Sequence, residues 1–248
     1  MSKIAIVGAT GSVGLELVKC LHSRPHLSPS PPHLYASSRS AGSTLSTAYG
    51  DIVVKLFDVD VVKGEEYDFI FLAVSGSFST DYAKQLCGGG DNAKKTYVID
   101  NSSAFRYDKD VPLVVPEINF DAIKSSGSKL IANPNCTTAI ASVVLWPIHQ
   151  KFEILKVIMS TYQAASGAGE RGIQELLEGT KSKLDGNDIE GQVFSHPLPF
   201  NCIPFIDVVK DNGYSKEEMK VRSAGKLLII LWISFAYFTC IGRWGLKS

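Results

Sequence analysis

The chain has 248 residues, 45% hydrophobic and 20% charged, an ordinary balance for a globular protein of one large or two modest domains. Its 25 basic and 25 acidic residues cancel, so no global field steers it onto nucleic acid or anionic lipid, and a small-molecule substrate is favoured. The five cysteines, Cys20, Cys87, Cys136, Cys202 and Cys240, are odd in number and lack C-x-x-C spacing, which argues against a disulfide framework or a metal site and for a reducing compartment.

Met1-Ser2-Lys3 leads directly into Ile4-Ala5-Ile6-Val7, too short for a signal-peptide core, and predicts a buried first strand and a cytoplasmic start. Gly8-Ala9-Thr10-Gly11-Ser12-Val13-Gly14 then joins that strand to a helix over 14–22 with Val13, Leu17, Val18 and Leu21 on one face. Glycines at a strand-to-helix junction let backbone approach a pyrophosphate on the helix N-terminus, so this G-x-x-G-x-x-G predicts a dinucleotide site built from Gly8, Thr10, Gly11, Ser12, Val13 and Gly14. An ordinary tight turn is the competing reading. Ser28-Pro29-Ser30-Pro31-Pro32 forms a loop that no helix crosses, and Leu34-Tyr35-Ala36 is the second strand. An NAD-selective fold places an acid after that strand; this chain has Ser37-Ser38-Arg39-Ser40, and a guanidinium flanked by hydroxyls suits a phosphate ester, so NADP is expected. Further strands are predicted over 53–57, 69–74, 97–100 and 129–132, with a Gly88-Gly89-Gly90 turn among them. The alternation predicts an α/β fold with a Rossmann-like doubly wound parallel sheet over 1–133.

Asn133-Pro134-Asn135-Cys136-Thr137-Thr138 places one cysteine between a turn and an apolar helix predicted over 138–150. A thiol at a helix N-terminus meets the positive end of the dipole and unpaired backbone N–H groups, which favour the thiolate and make Cys136 the expected nucleophile. The competing reading is a small hydrophobe packed under the helix. Joined to a nicotinamide site, an activated cysteine implies oxidation of an aldehyde, or its reverse, through a thioester. A strand over 154–162 and a helix over 170–184 then predict a second, α+β domain over 134–220 that carries the substrate.

These pieces together resemble the aspartate-semialdehyde dehydrogenase family. The resemblance is carried in order by the Gly8-to-Gly14 loop, Ser38-Arg39-Ser40-Ala41-Gly42, Ala73-Val74-Ser75-Gly76, Asp100-Asn101-Ser102-Ser103-Ala104-Phe105-Arg106 and Val115-Pro116-Glu117-Ile118-Asn119. The cysteine motif, Gln163-Ala164-Ala165-Ser166-Gly167-Ala168-Gly169, Phe200-Asn201-Cys202-Ile203-Pro204 and Glu217-Glu218-Met219-Lys220 complete it, from Ile4 to about Lys220. The resemblance implies NADPH-dependent reduction of β-aspartyl phosphate to aspartate semialdehyde, in lysine, threonine and methionine synthesis, by a homodimer. It implies that Cys136 attacks the carbonyl, Asn135 positions the adduct and Gln163 orients the reacting group. Asn101, Arg106 and Lys220 would bind substrate or phosphate, and Glu217 the amino group. Ser75, Gly76, Ser166, Gly167 and Gly169 would join the cofactor site. Without the resemblance, Glu217 and Lys220 read as an i,i+3 pair on a solvated helix face. Short-chain dehydrogenases open with similar glycines but need a tyrosine with lysine four residues later, and none of the nine tyrosines has one. The related N-acetyl-glutamyl-phosphate reductases surround their cysteine with a different motif.

Beyond Lys220 the resemblance fades. Family members supply a further arginine and an acid–base histidine there, whereas this chain has no histidine after His196, and Arg243 stands in unrelated sequence. Residues 227–241 carry no charge and match neither an amphipathic helix nor alternating strands. Residues 221–248 are thus expected to be a divergent apolar tail, explicable as a translated intron entered at Lys-Val-Arg. Fifteen helical residues span about 22 Å, short of a hydrocarbon core of about 30 Å, so an exposed, aggregation-prone tail is expected over a membrane anchor. Two outcomes are open for the whole chain: a turning-over dehydrogenase and a catalytically silent NADP-binding remnant.

Overall fold

A computed structural model describes residues 2–26, 28, 30–87, 96–223 and 235–241, with backbone alone for 221–223 and 235–241. The described chain falls into two compact units, residues 1–143 and 144–248. In order, the first unit comprises β1 (Ile4–Val7), α1 (Ser12–His22), β2 (His33–Ala36), β3 (Thr44–Thr47), β4 (Gly50–Val53), β5 (Lys55–Leu56), α2 (Val59–Gly64) and β6 (Phe69–Leu72). Next come α3 (Gly76–Leu86), β7 (Tyr97–Asp100), α4 (Pro116–Asn119), α5 (Asp121–Ser126), β8 (Leu130–Ala132) and the start of α6 (Cys136–Phe152).

Six of these strands form one parallel sheet in the order β5-β2-β1-β6-β7-β8, the doubly wound arrangement expected from the sequence. Pleating sends alternate residues of β1 to opposite faces. Ala5 and Val7 join Tyr35, Ile70, Leu72 and Val98 under Ala83 and Leu86 of α3, while Ile4 and Ile6 join Leu34 and Ala36 under Val18 and Leu21 of α1. Tyr35 and Tyr67 are fully buried, yet their hydroxyls bond each other at 2.7 Å and Tyr67 also meets His33 Nδ1 at 2.6 Å, which offsets the cost of burying them.

The strand expected over 53–57 is divided. Val54 hydrogen-bonds Ser43 and Gly42 through its N–H and C=O, so the chain makes the antiparallel hairpin β3–β4 before entering β5. The Gly88-Gly89-Gly90 turn lies outside the described residues.

The second unit holds the remainder of α6, β9 (Val157–Gln163), a short 3-10 turn (Ala165–Ala168), α7 (Gly169–Leu184), α8 (Lys216–Ser223) and β10 (Phe235–Ile241). Its core gathers Ala165, Phe194, Leu198 and Ile203 beneath Leu176 of α7. Glu175 of α7 fixes the loop before Leu198 by accepting from the backbone N–H groups of Gln192 (3.1 Å), Val193 and Phe194 (3.3 Å).

The reading of the tail needs correction. Residues 235–241 form a strand parallel to β9, in register from Phe235 opposite Val157 to Ile241 opposite Gln163. Seven uncharged residues rich in aromatic side chains suit a strand, and the edge of β9 offers the ladder that periodicity within the segment does not reveal. The rest of the tail, 224–234 and 242–248 with Arg243, lies outside the described residues. Among the described residues no helix is long and apolar enough to cross a membrane.

Candidate active site

The glycine loop sits between the C-terminal end of β1 and α1, where the sheet order reverses between β2 and β6 on either side of β1. Gly8 has φ +84°, and a Cβ there would stand 2.2 Å from the Ala73 carbonyl oxygen; at Gly14 it would stand 2.4 Å from the Gly8 carbonyl oxygen. Both glycines are therefore demanded by the protein's own packing. Gly11 differs, because a Cβ there would meet only the Gly8 carbonyl oxygen at 3.5 Å, an ordinary contact. Gly11 is exposed at the N-cap of α1, and among the described residues no side chain caps the helix. The first-turn N–H groups of Ser12, Val13 and Gly14 thus point toward an open approach suited to a phosphate.

Ser38, Arg39 and Ser40 follow β2 in a turn closed by Ser40 N–H donating to the Ser37 carbonyl (3.0 Å). Arg39 is exposed, and its guanidinium makes no hydrogen bond or ion pair among the described residues. Ser75 caps α3 by accepting from the Phe78 N–H at 3.3 Å, placing Gly76 in the first turn after β6. Together these residues line the C-terminal edge of three adjacent strands, and a dinucleotide fits this set: bare helix amides for its phosphates and an uncommitted cation beside the second strand.

Cys136 is the first residue of α6 and is exposed. Asn135 before it is buried, and its Oδ1 accepts from the Thr138 N–H at 3.2 Å, the third amide of the helix, so Asn135 caps α6 and sets the direction in which Cys136 leaves the turn. The reading of Cys136 as a buried hydrophobe is ruled out by its exposure.

The turn carrying Cys136 is held by residues of the loop after β7. Arg106 Nε donates to the Asn133 carbonyl and Nη2 to the Asn101 carbonyl, both at 2.8 Å, while Asn133 Nδ2 donates to Asn101 Oδ1 at 2.8 Å. Beneath them Asp100 is fully buried, accepting from Ser79 Oγ (2.7 Å), Ser102 N–H (3.0 Å) and Ser102 Oγ (2.7 Å). Asp100 and Asn133 are supporting residues that sequence reasoning missed. The Asp-x-Ser spacing, typical of a side chain closing its own turn, was the available signal for Asp100.

The second unit gathers another set. Gln163, the last residue of β9, donates through Nε2 to Glu217 Oε1 at 3.4 Å, and Lys220 Nζ donates to Glu217 Oε2 at 3.0 Å. The i,i+3 pair read from sequence exists, but it is not a solvated face: the Glu217 side chain is 7% exposed and that of Lys220 19%. Lys220 also pairs at 3.0 Å with Asp207, which sequence reasoning did not single out. Burial pulls the Lys220 ammonium down, yet its bonds to Glu217 and Asp207 together hold it above the ordinary lysine value. Ser166 and Gly167 lie in the 3-10 turn after β9, and Gly169 follows with φ +72°, a conformation that favours glycine.

Among the histidines, His149 Nδ1 accepts from the Ile154 N–H (3.0 Å), His33 pairs with Tyr67, and His196 is exposed beside Ser195 Oγ (3.1 Å) and the Phe205 ring.

Residues 3–126 match the family described as semialdehyde dehydrogenase, NAD binding domain, and residues 145–229 match semialdehyde dehydrogenase, dimerisation domain. That second match extends nine residues past Lys220, further than the sequence motifs reached. Among relatives, the aspartate-semialdehyde dehydrogenase of Campylobacter jejuni is 45% identical over 232 residues, 91% of this chain and 65% of its own length. That of Helicobacter pylori is 40% identical over 230 residues, 88% of this chain and 64% of its own. The chain therefore spans a little under two thirds of the length of these relatives. A crystal structure of Vibrio cholerae aspartate semialdehyde dehydrogenase II complexed with ASA matches with a TM-score of 0.87 at 36% identity, over 98% of this chain and 70% of that one.

Proposed function

Since the chain belongs to the aspartate-semialdehyde dehydrogenase family, we propose that its activity is the reversible, phosphorylating interconversion of aspartate semialdehyde and β-aspartyl phosphate with NADP, within lysine, threonine and methionine synthesis. The observation that carries this reading is an exposed thiol at the first position of α6, on a turn that Asn135, Asn133 and Arg106 brace.

In the oxidative direction the Cys136 thiolate adds to the aldehyde carbon and leaves a thioester after hydride loss; phosphate oxygen then attacks that carbonyl and the thiolate departs. The dinucleotide, when bound, supplies or accepts the hydride. Asn135 and Gln163 offer side-chain amides of the kind that hydrogen-bond a reacting carbonyl. Arg106 and Asn101 favour the phosphate, Glu217 an ammonium and Lys220 an anionic group, by the match of charge and hydrogen-bonding geometry.

Arg39 with Ser38 and Ser40 supports NADP over NAD, since the extra phosphate of NADP is an anion that an uncommitted guanidinium can bind. Gly8, Thr10, Gly11, Ser12, Val13 and Gly14 hold the diphosphate, Ser75 and Gly76 adjoin it, and Ser166, Gly167 and Gly169 serve the nicotinamide end. The match to a dimerisation domain supports a homodimer, and a reducing, cytoplasmic setting suits the free thiols of Cys20, Cys87, Cys136 and Cys202.

A second reading, dinucleotide binding without turnover, is favoured by the partners of the histidines: those of His33, His149 and His196 hold them to backbone, Tyr67 or Ser195 rather than to a reacting group. One assay separates the two. The purified chain is incubated with aspartate semialdehyde, phosphate and NADP while NADPH absorbance is followed. Sustained formation of NADPH supports the dehydrogenase, and binding of NADP without it supports the silent protein.

A further inference from the structure

Four side chains of the second unit form one line: Asp207, Lys220, Glu217 and Gln163. Asp207 Oδ2 accepts from Lys220 Nζ at 3.0 Å, Lys220 Nζ donates to Glu217 Oε2 at 3.0 Å, and Glu217 Oε1 accepts from Gln163 Nε2 at 3.4 Å. A carboxylate can only accept, so the last contact fixes which way the Gln163 amide is turned: nitrogen toward Glu217 and oxygen away from it. Lys220 has two acidic neighbours and one charge. Without Asp207 its ammonium would be free to rotate fully onto Glu217 and compete with Gln163 for that carboxylate.

Asp207 is built for this place. Its backbone is in the left-handed region, with φ +66°, a conformation Asp tolerates better than most residues. Its Oδ1 accepts from the Val208 N–H at 2.9 Å, which leaves Oδ2 aimed at Lys220. The intervening chain is tied into a closed loop by Lys216 N–H donating to the Val208 carbonyl and Lys210 N–H to the Tyr214 carbonyl, both at 2.8 Å, so residue 207 and the start of α8 are held side by side. Burial pushes the Asp207 carboxyl up, but Lys220 and the Val208 amide together hold it below the ordinary carboxylate value.

We propose that Asp207 is a positioning residue that acts through Lys220 and Glu217 to set the orientation of the Gln163 amide and the placement of the Lys220 ammonium. This rests on the roles given above to Gln163 and Lys220, but the arrangement itself is measurable whether or not the chain turns over. Asp207→Asn is the discriminating variant, because asparagine keeps the oxygen for the Val208 N–H and adopts the left-handed backbone readily, removing only the charge.

The test records the side-chain amide signals of Gln163 and the titration of the Lys220 ammonium by NMR in the full chain and in Asp207→Asn, with thermal unfolding alongside. Glu217 and Asp207 are the charged groups that act on this ammonium, and Lys216 acts on Asp207. The expected result is a moved Gln163 amide signal and a Lys220 titration shifted down, with the single unfolding transition kept and its temperature lowered only by the loss of one ion pair. Where turnover is measured, KM for inorganic phosphate should rise about tenfold, the loss of one charge-assisted hydrogen bond, with kcat falling less. Unmoved Gln163 and Lys220 signals would overturn the proposal, as would backbone amide signals of residues 207–216 that move as a set with the loss of a single unfolding transition, which would make Asp207 a brace for its loop. Absence of turnover with moved signals would count against the dehydrogenase reading and in favour of the Asp207 assignment.

Discussion

The two units hold their functional residues by different means. In residues 1–143 the glycine loop is fixed by backbone against backbone: Gly8 and Gly14 have no room for even one carbon, and the strands on either side bury Ile6, Leu34, Tyr35 and Leu72 completely. In residues 144–248 the core is smaller, and the set around Glu217 is held by charge, through Lys220 between two carboxylates. Ile148, Phe152, Leu155, Ile158 and Tyr162 of this unit are exposed apolar residues, so it has less packing to draw on. A site fixed by backbone packing tolerates changes of charge and fails on added volume. A site fixed by ion pairs does the reverse.

Cys136→Ala tests neither form of support and should have the largest effect. Removing a nucleophile should lower turnover by at least about 10⁴-fold, while NADP affinity, measured by direct titration, stays near that of the parent. Gly8→Ala should break the first kind of site. The added carbon meets the Ala73 carbonyl and the positive φ adds strain, so a loss on the order of 3 kcal/mol in stability is expected in chemical unfolding, with dinucleotide binding lost alongside.

Phe238→Pro probes the second unit. Residue 238 lies mid-strand in β10 opposite Ser160, and proline removes its N–H from the ladder. Unfolding of the second unit should be destabilised by on the order of 1–3 kcal/mol, with NADP affinity unchanged. No change in unfolding would mean that the tail strand does not contribute to the unit.

Arg39→Ala should act on affinity alone, weakening NADP by about tenfold and NAD little, since only NADP presents the extra phosphate. Equal weakening of both in parallel titrations would detach this loop from the choice of cofactor. The smallest effect concerns His33, whose pKa is lowered by burial and then by Lys55. Its folded value lies below the ordinary 6.5, so the unfolded chain binds the proton first as pH falls. Stability from neutral His33 is full above pH 6.5 and is lost as pH drops through the lower folded value. Thermal unfolding across that range should slope with pH in the parent and less in His33→Gln.

Much of the first unit was legible in the sequence because its signals are local. An apolar run, a glycine turn and a helix with Val18 and Leu21 on one face announce themselves within about twenty residues, and Cys136 stands out beside Asn-Pro-Asn. The hairpin β3–β4 was not legible, since its strands are half exposed and Val54 belongs to neither partner. Nor was the partnership of Asp207 with Lys220, thirteen residues apart and joined only by the fold of the loop between them. β10 escaped for a similar reason: its only regularity is the register it shares with β9, a long-range property that no window over the tail contains.

The role of Cys136 as carrier of the acyl group can be caught directly. Mixing the chain with NADP and aspartate semialdehyde in the absence of phosphate stops the reaction at the thioester, so a burst of NADPH and the mass of the peptide containing Cys136 report the step directly. The expected result is about one NADPH per chain and an aspartyl group on Cys136, both absent in Cys136→Ala. A chain that binds NADP yet gives no burst, and whose Cys136 stays unmodified, would contradict it.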